Sequence, residues 1–316
     1  MLKLQAFLAL EKSVASTMHA AWDHVARRIV SQVGPLLAAR KWDDAHDIAN
    51  KLSMFGVVER HRKRLEELAV SSFLFGAHNV TGSLQATSYV KREQSLPYSI
   101  QLSLDQMTDM VEFHGAEMVR QELHKAIRRE ELRKYDMSSE DLEEAGMQNP
   151  EQAGPRKKKK VRKDDDMAER LNQAVTGTGR MAIDIAANLT TSRLVTLGFL
   201  AEAINKKIET YQINEVLDEK TCPVCQYMHG KTFYVQKEYG RVMQALGTQD
   251  PQQLKSLAPW PNQSKAGLAK LNAMSLEEMQ AEGYGSPPYH PGCRGVLALV
   301  GTVTEEIPLG GLVSSP

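Results

Sequence analysis

Two short motifs in the C-terminal third place thiols and an imidazole at the spacing of metal ligands. The first is Cys222-Pro-Val-Cys225 and the second is His290-Pro-Gly-Cys293. A two-residue gap lets both side chains of a tight turn reach one ion, and Pro or Gly within the gap favours such a turn. Zinc prefers four thiolate or imidazole ligands in a tetrahedron. The pattern therefore predicts one zinc (Zn²⁺) site with the ligands Cys222, Cys225, His290 and Cys293.

Other interpretations of these residues stay open at this level. A C-x-x-C pair is also typical of thioredoxin-like redox proteins, if it lies at a helix N-terminus after a strand. The cysteines could also be plain buried side chains. His229 offers a fifth donor, although its place before Gly230 is more typical of a turn. If protein fills all four positions, the zinc is structural, because a catalytic zinc keeps one position for water.

Several catalytic patterns are missing or misplaced. A nucleotide deaminase needs H-x-E upstream of P-C-x-x-C, but His114 and Glu117 have the wrong spacing and Pro223 lies inside the C-x-x-C motif. Gly177-Thr-Gly179 is too short for a dinucleotide fingerprint, and there is no P-loop. We therefore expect a protein that is not an enzyme.

The composition of the chain excludes further classes of protein. The chain has 316 residues, enough for two domains, and carries 39 basic and 39 acidic side chains. A zero net charge argues against a general nucleic-acid binder. Three cysteines argue against a disulfide framework and favour a reducing compartment. No apolar run approaches the roughly 18 residues of a membrane span, so no membrane partner is expected.

The fold class predicted from periodicity is α+β, with a mainly helical N-terminal region and a small C-terminal α+β domain stabilised by zinc. Apolar residues at steps of three and four predict helices over most of 1–80, with Gly34-Pro35 ending or bending the first. The next two are expected near Trp42–Met54 and Val57–Phe75. Asn79–Pro97 is expected to be a loop, and a capping box at Ser103 predicts the start of a long helix.

The C-terminal part combines helical and strand signals. Helices are expected at Met167–Val175, Met181–Asn188 and Arg193–Lys207, and strands at Glu209–Asn214, Thr232–Val235 and Val296–Val300. A second capping box lies at Ser275. The predicted organisation is a helical region 1–135, a charged linker or loop 136–166, a domain 167–305 that contains the C-x-x-C and H-x-x-C motifs, and a tail 306–316.

Two charged features have both functional and structural interpretations. The run Arg156–Lys163 is either a phosphate-binding segment, a nuclear import signal in a eukaryotic chain, or a solvated linker balanced by Asp164–Asp166. Arg294 follows the last predicted ligand. It either pairs with Asp218, which would brace the two turns, or remains solvated.

The C-terminal third resembles the phage Mu F-like minor head proteins, also called phage head morphogenesis proteins. The resemblance rests on Asp218, Thr221-Cys-Pro-Val-Cys225, Gly230, Phe233 and Pro287-Pro-Tyr-His-Pro-Gly-Cys-Arg294, in that order. It covers about residues 180–300. This chain departs from the family where Gly295 replaces the second cysteine of a frequent C-R-C, and where His229 replaces a frequent Asp.

The resemblance implies a minor head (capsid) protein of a tailed bacteriophage or prophage. Such a protein is a virion component that associates with the portal or inner capsid. It meets the portal protein and the major capsid or scaffold proteins, and assists head assembly and DNA packaging or delivery. Its expected place is the virion head, and the host bacterial cytoplasm during assembly. The rivals are a metal-dependent nuclease and a nucleic-acid-binding factor that contacts DNA through Arg156–Lys163.

Overall fold

The computed structural model describes residues 2–81, 95–134, 165–248 and 250–300. Within these ranges the chain is mainly helical with a small antiparallel sheet of three strands, which confirms the predicted balance of elements. The chain forms two compact units. Unit 1 comprises Met1–Val14, Lys63–Met107 and Ala187–Pro316, and unit 2 comprises Ala15–Arg62 and Thr108–Ala186.

Some predictions fall outside the described residues. They concern the basic run Arg156–Lys163, the tail 306–316 and the linker 136–166, except that Asp165–Asp166 begin a helix. The sequence-based domain boundaries stay a prediction.

Residues 2–81 are mainly helical. Their elements are α1 (Leu2–Ala38), α2 (Trp42–Asn50), a 3₁₀ turn (Glu59–His61) and α3 (Arg62–Thr81). Of the two alternatives predicted for Gly34-Pro35, an end of the first helix is wrong, because α1 continues through Pro35 to Ala38. It stops where Arg40 adopts a left-handed φ of 58° and the Lys41 N–H donates to the Leu36 carbonyl at 2.9 Å. That bond is typical of a helix C-cap.

The middle helices are longer than the sequence signals suggested. Helix α4 (Ser95–Thr108), a π-helical turn (Asp109–Gly115) and α5 (Ala116–Lys134) follow one another without interruption. The predicted helix start at Ser103 is wrong. Its hydroxyl donates to the Ser99 carbonyl at 2.8 Å, a bond that serine makes inside a helix. The predicted loop Asn79–Pro97 is helical at both ends, and its centre 82–94 lies outside the described residues.

The three helices predicted between 167 and 207 form one longer helical run. It consists of α6 (Asp165–Asn172), a π-helical turn (Gln173–Gly177) and α7 (Thr178–Asn205). The remaining elements are β1 (Thr210–Asn214), α8 (Pro223–Met228), β2 (Thr232–Tyr234), α9 (Val235–Gly247), α10 (Pro251–Leu257), α11 (Lys265–Asn272), α12 (Leu276–Ala281) and β3 (Val296–Leu299). All three predicted strands are thus confirmed. The capping box at Ser275 is also confirmed, since its side chain accepts from the Glu278 N–H at 3.2 Å.

The sheet of unit 1 has the order β2-β1-β3, and both pairs are antiparallel. Tyr211 of β1 pairs with Phe233 of β2 on one side and with Leu299 of β3 on the other. Tyr211 and Ile213 are fully buried while their neighbours along β1 are half-buried. This alternation is the pattern of a strand with one face on a core. Tyr211 also meets Phe199 of α7 edge-on, which joins the sheet to the helices.

Two glycines let α3 and α7 approach until their backbones touch. A Cβ on Gly76 would lie 1.9 Å from the Val195 carbonyl oxygen, and a Cβ on Gly198 would lie 1.9 Å from that of Phe73. Only glycine fits at such contacts. The pair fixes α7, the helix that supports the site described below.

Unit 2 is built around a buried tryptophan. Trp22 of α1 is completely inaccessible to solvent, and a Cβ on Gly179 would lie 2.1 Å from its Nε1. Helix α2 packs against α5, where the Nδ1 atoms of His46 and His124 lie 2.7 Å apart. Within the described ranges, no helix is both long and apolar enough to span a membrane.

Candidate metal centre

The C-x-x-C motif forms the first turn of α8. Cys222 is the N-cap residue, and its Sγ accepts from the Cys225 N–H at 3.3 Å. Pro223 occupies the first helical position, where its missing N–H costs nothing. Both thiols therefore lie on the same end of a short helix. A helix N-terminus after a strand is also where thioredoxin-like proteins carry their redox pair, but here the helix has only six residues and β2 follows at Thr232.

The H-x-x-C motif is a separate tight turn that α7 holds in place. The Cys293 N–H donates to the His290 carbonyl at 3.1 Å, and Gly292 supplies a left-handed φ of 79°. Asn188 of α7 accepts from the Gly292 N–H at 2.9 Å and donates to the Cys293 carbonyl at 3.2 Å. No sequence signal pointed to Asn188, because a buried asparagine inside a long helix has no characteristic spacing.

The donor atoms of the two turns converge. Cys225 Sγ lies 3.2 Å from His290 Nε2 and 3.9 Å from Cys293 Sγ. The donors of Cys222, Cys225 and His290 all lie within 4.8 Å of one another. Tetrahedral zinc would place thiolates about 3.8 Å apart and a thiolate about 3.6 Å from an imidazole nitrogen. All three cysteines are free thiols, so the four predicted residues could hold a metal ion.

The histidine ring is oriented as a metal ligand requires. Its Nδ1 lies 2.8 Å from the carbonyl oxygen of Pro291. A carbonyl oxygen only accepts, so Nδ1 must carry the hydrogen. In the neutral ring Nε2 then keeps its lone pair and directs it toward Cys225. Metal-bound histidines usually donate their other N–H in this way.

Glu215 is a fifth group at this site that the sequence analysis missed. It follows β1 and is only 5% exposed, and Cys293 Sγ lies 3.7 Å from its Oε1. Glu215, Cys225 and Cys293 form a second set of donors within 4.8 Å of one another. A Cβ on Gly295 would lie 2.1 Å from Glu215 Oε1. The sequence held one signal for this group. Gly295 stands where the similar family often has a cysteine, and its missing side chain leaves room for the Glu215 carboxyl group.

Without a metal ion, the groups of the cluster differ in how firmly they hold their protons. Burial, and next the charge of Cys293, raises the pKa of Glu215 well above its ordinary value. The contact between the two thiols raises the pKa of Cys225 and lowers that of Cys293 to about 6. A bound cation would reverse this balance by stabilising thiolates, so that metal uptake releases protons.

Arg294 braces the two turns, which confirms one of its two predicted roles. Its two terminal nitrogens donate to the carboxylate of Asp218 at 2.7 and 2.6 Å. The same carboxylate accepts from the Thr221 hydroxyl at 3.0 Å, immediately before Cys222. These hydrogen bonds, that of Arg294 above all, hold the pKa of Asp218 far below its usual range. A forked ion pair therefore joins the segment after Cys293 to the loop before Cys222.

His229 has a different role from the ligands. Its Nδ1 accepts from the Glu215 N–H at 3.1 Å, next to the C-terminal end of α8. The two donor clusters found among the described residues do not include it. His229 positions the backbone that carries Glu215, and the interpretation as a turn residue fits this contact.

Comparisons of the chain with protein-family models, with curated proteins and with solved structures give no match. Any assignment of function therefore depends on the motifs and on the geometry of the cluster.

Proposed function

We propose that this protein is a minor head protein of a tailed bacteriophage or prophage, associated with the portal or inner capsid, and that it acts as a structural component rather than as an enzyme. The observation that carries the proposal is the pairing of T-C-P-V-C with P-P-Y-H-P-G-C-R, whose donor atoms meet in one cluster. The ion proposed for the cluster is structural Zn²⁺. The proposed locations are the virion head and, during assembly, the host bacterial cytoplasm.

A structural role suits the way in which the ligands are distributed. Cys222 and Cys225 lie between β1 and β2, whereas His290 and Cys293 lie just before β3. Helices α9 to α12 separate the two turns along the chain. One ion would join the two ends of this insertion, and structural zinc sites contribute directly to folding free energy.

The first test is metal content. Purified protein is expected to contain one zinc per chain, and His290→Gln should lose the metal and unfold at a lower temperature. The matched control is His114→Gln, because His114 is exposed and lies in unit 2. A stable, folded wild-type protein with no metal after zinc loading would contradict the structural zinc site.

The second test is assembly. When the chain is produced together with the portal and scaffold proteins of the same genome, it should co-sediment with portal assemblies. It should also be detected by mass spectrometry in purified heads. Absence from heads and from portal assemblies would refute the head-protein function, even if the zinc site were correct.

A metal-dependent nuclease remains the second candidate because of Glu215. A carboxyl group beside metal ligands can serve as a general base if one coordination position is open. Zinc-dependent cleavage of DNA that Glu215→Gln abolishes, with metal content unchanged, would favour the nuclease. DNA contact through Arg156–Lys163 stays a separate prediction, which a salt-dependent DNA affinity lost on charge removal would support.

A further inference from the structure

Unit 1 contains a small pocket in which two arginines meet. Arg193 of α7 and Arg241 of α9 line it together with Ser286, and Trp260 lies at its rim. Its volume is about 30 Å³. Since one water needs about 10–15 Å³, the space admits a small polar group but not a whole metabolite.

Arg241 is already neutralised by a neighbouring carboxylate. Its Nε donates to Glu238 Oε1 at 3.1 Å, and Glu238 is completely buried. The Ser286 hydroxyl donates to the same oxygen at 2.5 Å and accepts from Arg241. In this group the single carboxylate of Glu238 neutralises the single guanidinium of Arg241, although Glu238 Oε2 has no hydrogen-bond partner among the described residues.

Arg193 has no such partner among the residues that the structure describes. Its Nη1 donates to the neutral amide oxygen of Gln106 at 3.4 Å, and no carboxylate of the described residues pairs with it. Burial, and next the charge of Arg241, lowers the pKa of Arg193 to about 10, so the group is still a cation at neutral pH. Two guanidinium groups and one carboxylate leave one positive charge. Arg193 is half-buried, and a charge that has lost part of its hydration is costly unless a counter-ion joins it.

We propose that this pocket binds the carboxylate group of a ligand, with Arg193 as its forked partner. One net positive charge matches a singly charged carboxylate better than a phosphate, which carries more charge and more volume. Guanidinium and carboxylate also match in their planar geometry. The carbon adjoining the carboxylate would lie over Trp260, which is 49% exposed, and beside Pro259 and Pro287.

Ligand binding is tested on the full chain by calorimetric titration with three carboxylates: acetate, 3-phenylpropionate and the capped peptide acetyl-Gly-Glu-Gly-amide. Inorganic phosphate and chloride are titrated at equal ionic strength. At least one carboxylate should bind and raise the melting temperature of the protein. A tenfold preference for the peptide would identify an acidic side chain of a partner protein as the source. A preference for the free acids would identify a small-molecule ligand.

Three variants separate the pocket from general charge effects. Arg193→Gln should weaken carboxylate binding at least tenfold, and Ala258→Leu should do so by filling the pocket while it keeps Arg193. The control Arg64→Gln removes one exposed positive charge in the same unit and should change nothing. Phosphate or chloride binding as tightly as the carboxylates would overturn the proposal. So would unchanged binding in both pocket variants, or no carboxylate binding by the folded wild type.

Discussion

Replacing Gly295 by alanine is expected to destabilise the protein, because Glu215 occupies the space of the missing side chain. In Gly295→Ala the new Cβ would lie 2.1 Å from Oε1, 2.5 Å from Cδ and 2.7 Å from Oε2 of Glu215. Ordinary contact begins at 3.4 Å, so the carboxyl group would have to retreat by about 1.3 Å (3.4 − 2.1). Glu215 is only 5% exposed and lies against Cys293, so it has no solvent to move into.

The expected loss follows from the cost of overpacking. Forcing a methyl group into a filled interior typically costs about 1–3 kcal/mol, and we expect about 2 kcal/mol here. For a domain of ordinary size this corresponds to a fall of about 4–8 °C in melting temperature. The displaced carboxyl group would also press on Cys293, so zinc affinity should fall together with stability.

Calorimetric melting with and without zinc measures both effects. The matched control is Gly240→Ala, since Gly240 is an exposed residue of α9 and a Cβ added there would have no other atom within 4 Å. That substitution should stabilise the chain by about 0.5–1 kcal/mol, as alanine does in place of a helical glycine. Two double variants then test the cause. Glu215→Ala should remove most of the cost of Gly295→Ala, whereas Glu215→Gln, which has the same shape, should not.

Two results would contradict the steric explanation. If Gly295→Ala melts like the wild type, Glu215 does not occupy this space. If Glu215→Gln relieves the cost as fully as Glu215→Ala, the penalty is electrostatic and the packing argument is wrong.

Three further substitutions test a helix–helix contact, a helix cap and an ion pair of unit 1. Gly198→Ala should destabilise unit 1 by about 3 kcal/mol, because its Cβ would meet the Phe73 backbone, which cannot rotate away; a melting temperature equal to that of the wild type would contradict the contact. Ser275→Ala should cost about 1 kcal/mol in urea unfolding through loss of the helix cap, and Ser275→Thr should recover most of it. Asp218→Asn should lower stability at pH 7. Because Arg294 lowers the folded-state pKa of Asp218, this contribution is present above about pH 4 and lost as the pH falls further, so the wild-type and variant unfolding curves should converge in acid.

The spacing of residues along the chain predicted those features of the fold and the site that depend on local backbone geometry. The strands were found because alternate residues of β1, such as Tyr211 and Ile213, face a core. The metal-ligand spacing was informative for a similar reason, since two residues between donors fix the shape of a turn. The capping box at Ser275 depends on only four consecutive residues and was also found.

Features that depend on distant parts of the chain were missed. Ser103 has the local pattern of a helix start, but the helix begins at Ser95 and the serine hydroxyl bonds within it. Pro35 lacks one donor, yet α1 continues beyond it because the loss of one hydrogen bond does not outweigh the burial of Leu37. Asn188 and Glu215 meet the H-x-x-C turn from far along the sequence, and no spacing rule connects them to it.

The charge balance of the proposed zinc site bears on the role of Glu215. A zinc ion with three thiolates and a neutral imidazole carries one negative charge, and an ionised Glu215 would make it two in a buried space. In the site without metal, burial and next the charge of Cys293 raise the pKa of Glu215, which favours the neutral acid. A neutral acid can donate its O–H to the Cys293 thiolate, which stabilises the ligand, but it cannot act as a base. Under the proposed structural function, Glu215 would support the ligand set from outside, as hydrogen-bonding partners of metal ligands do.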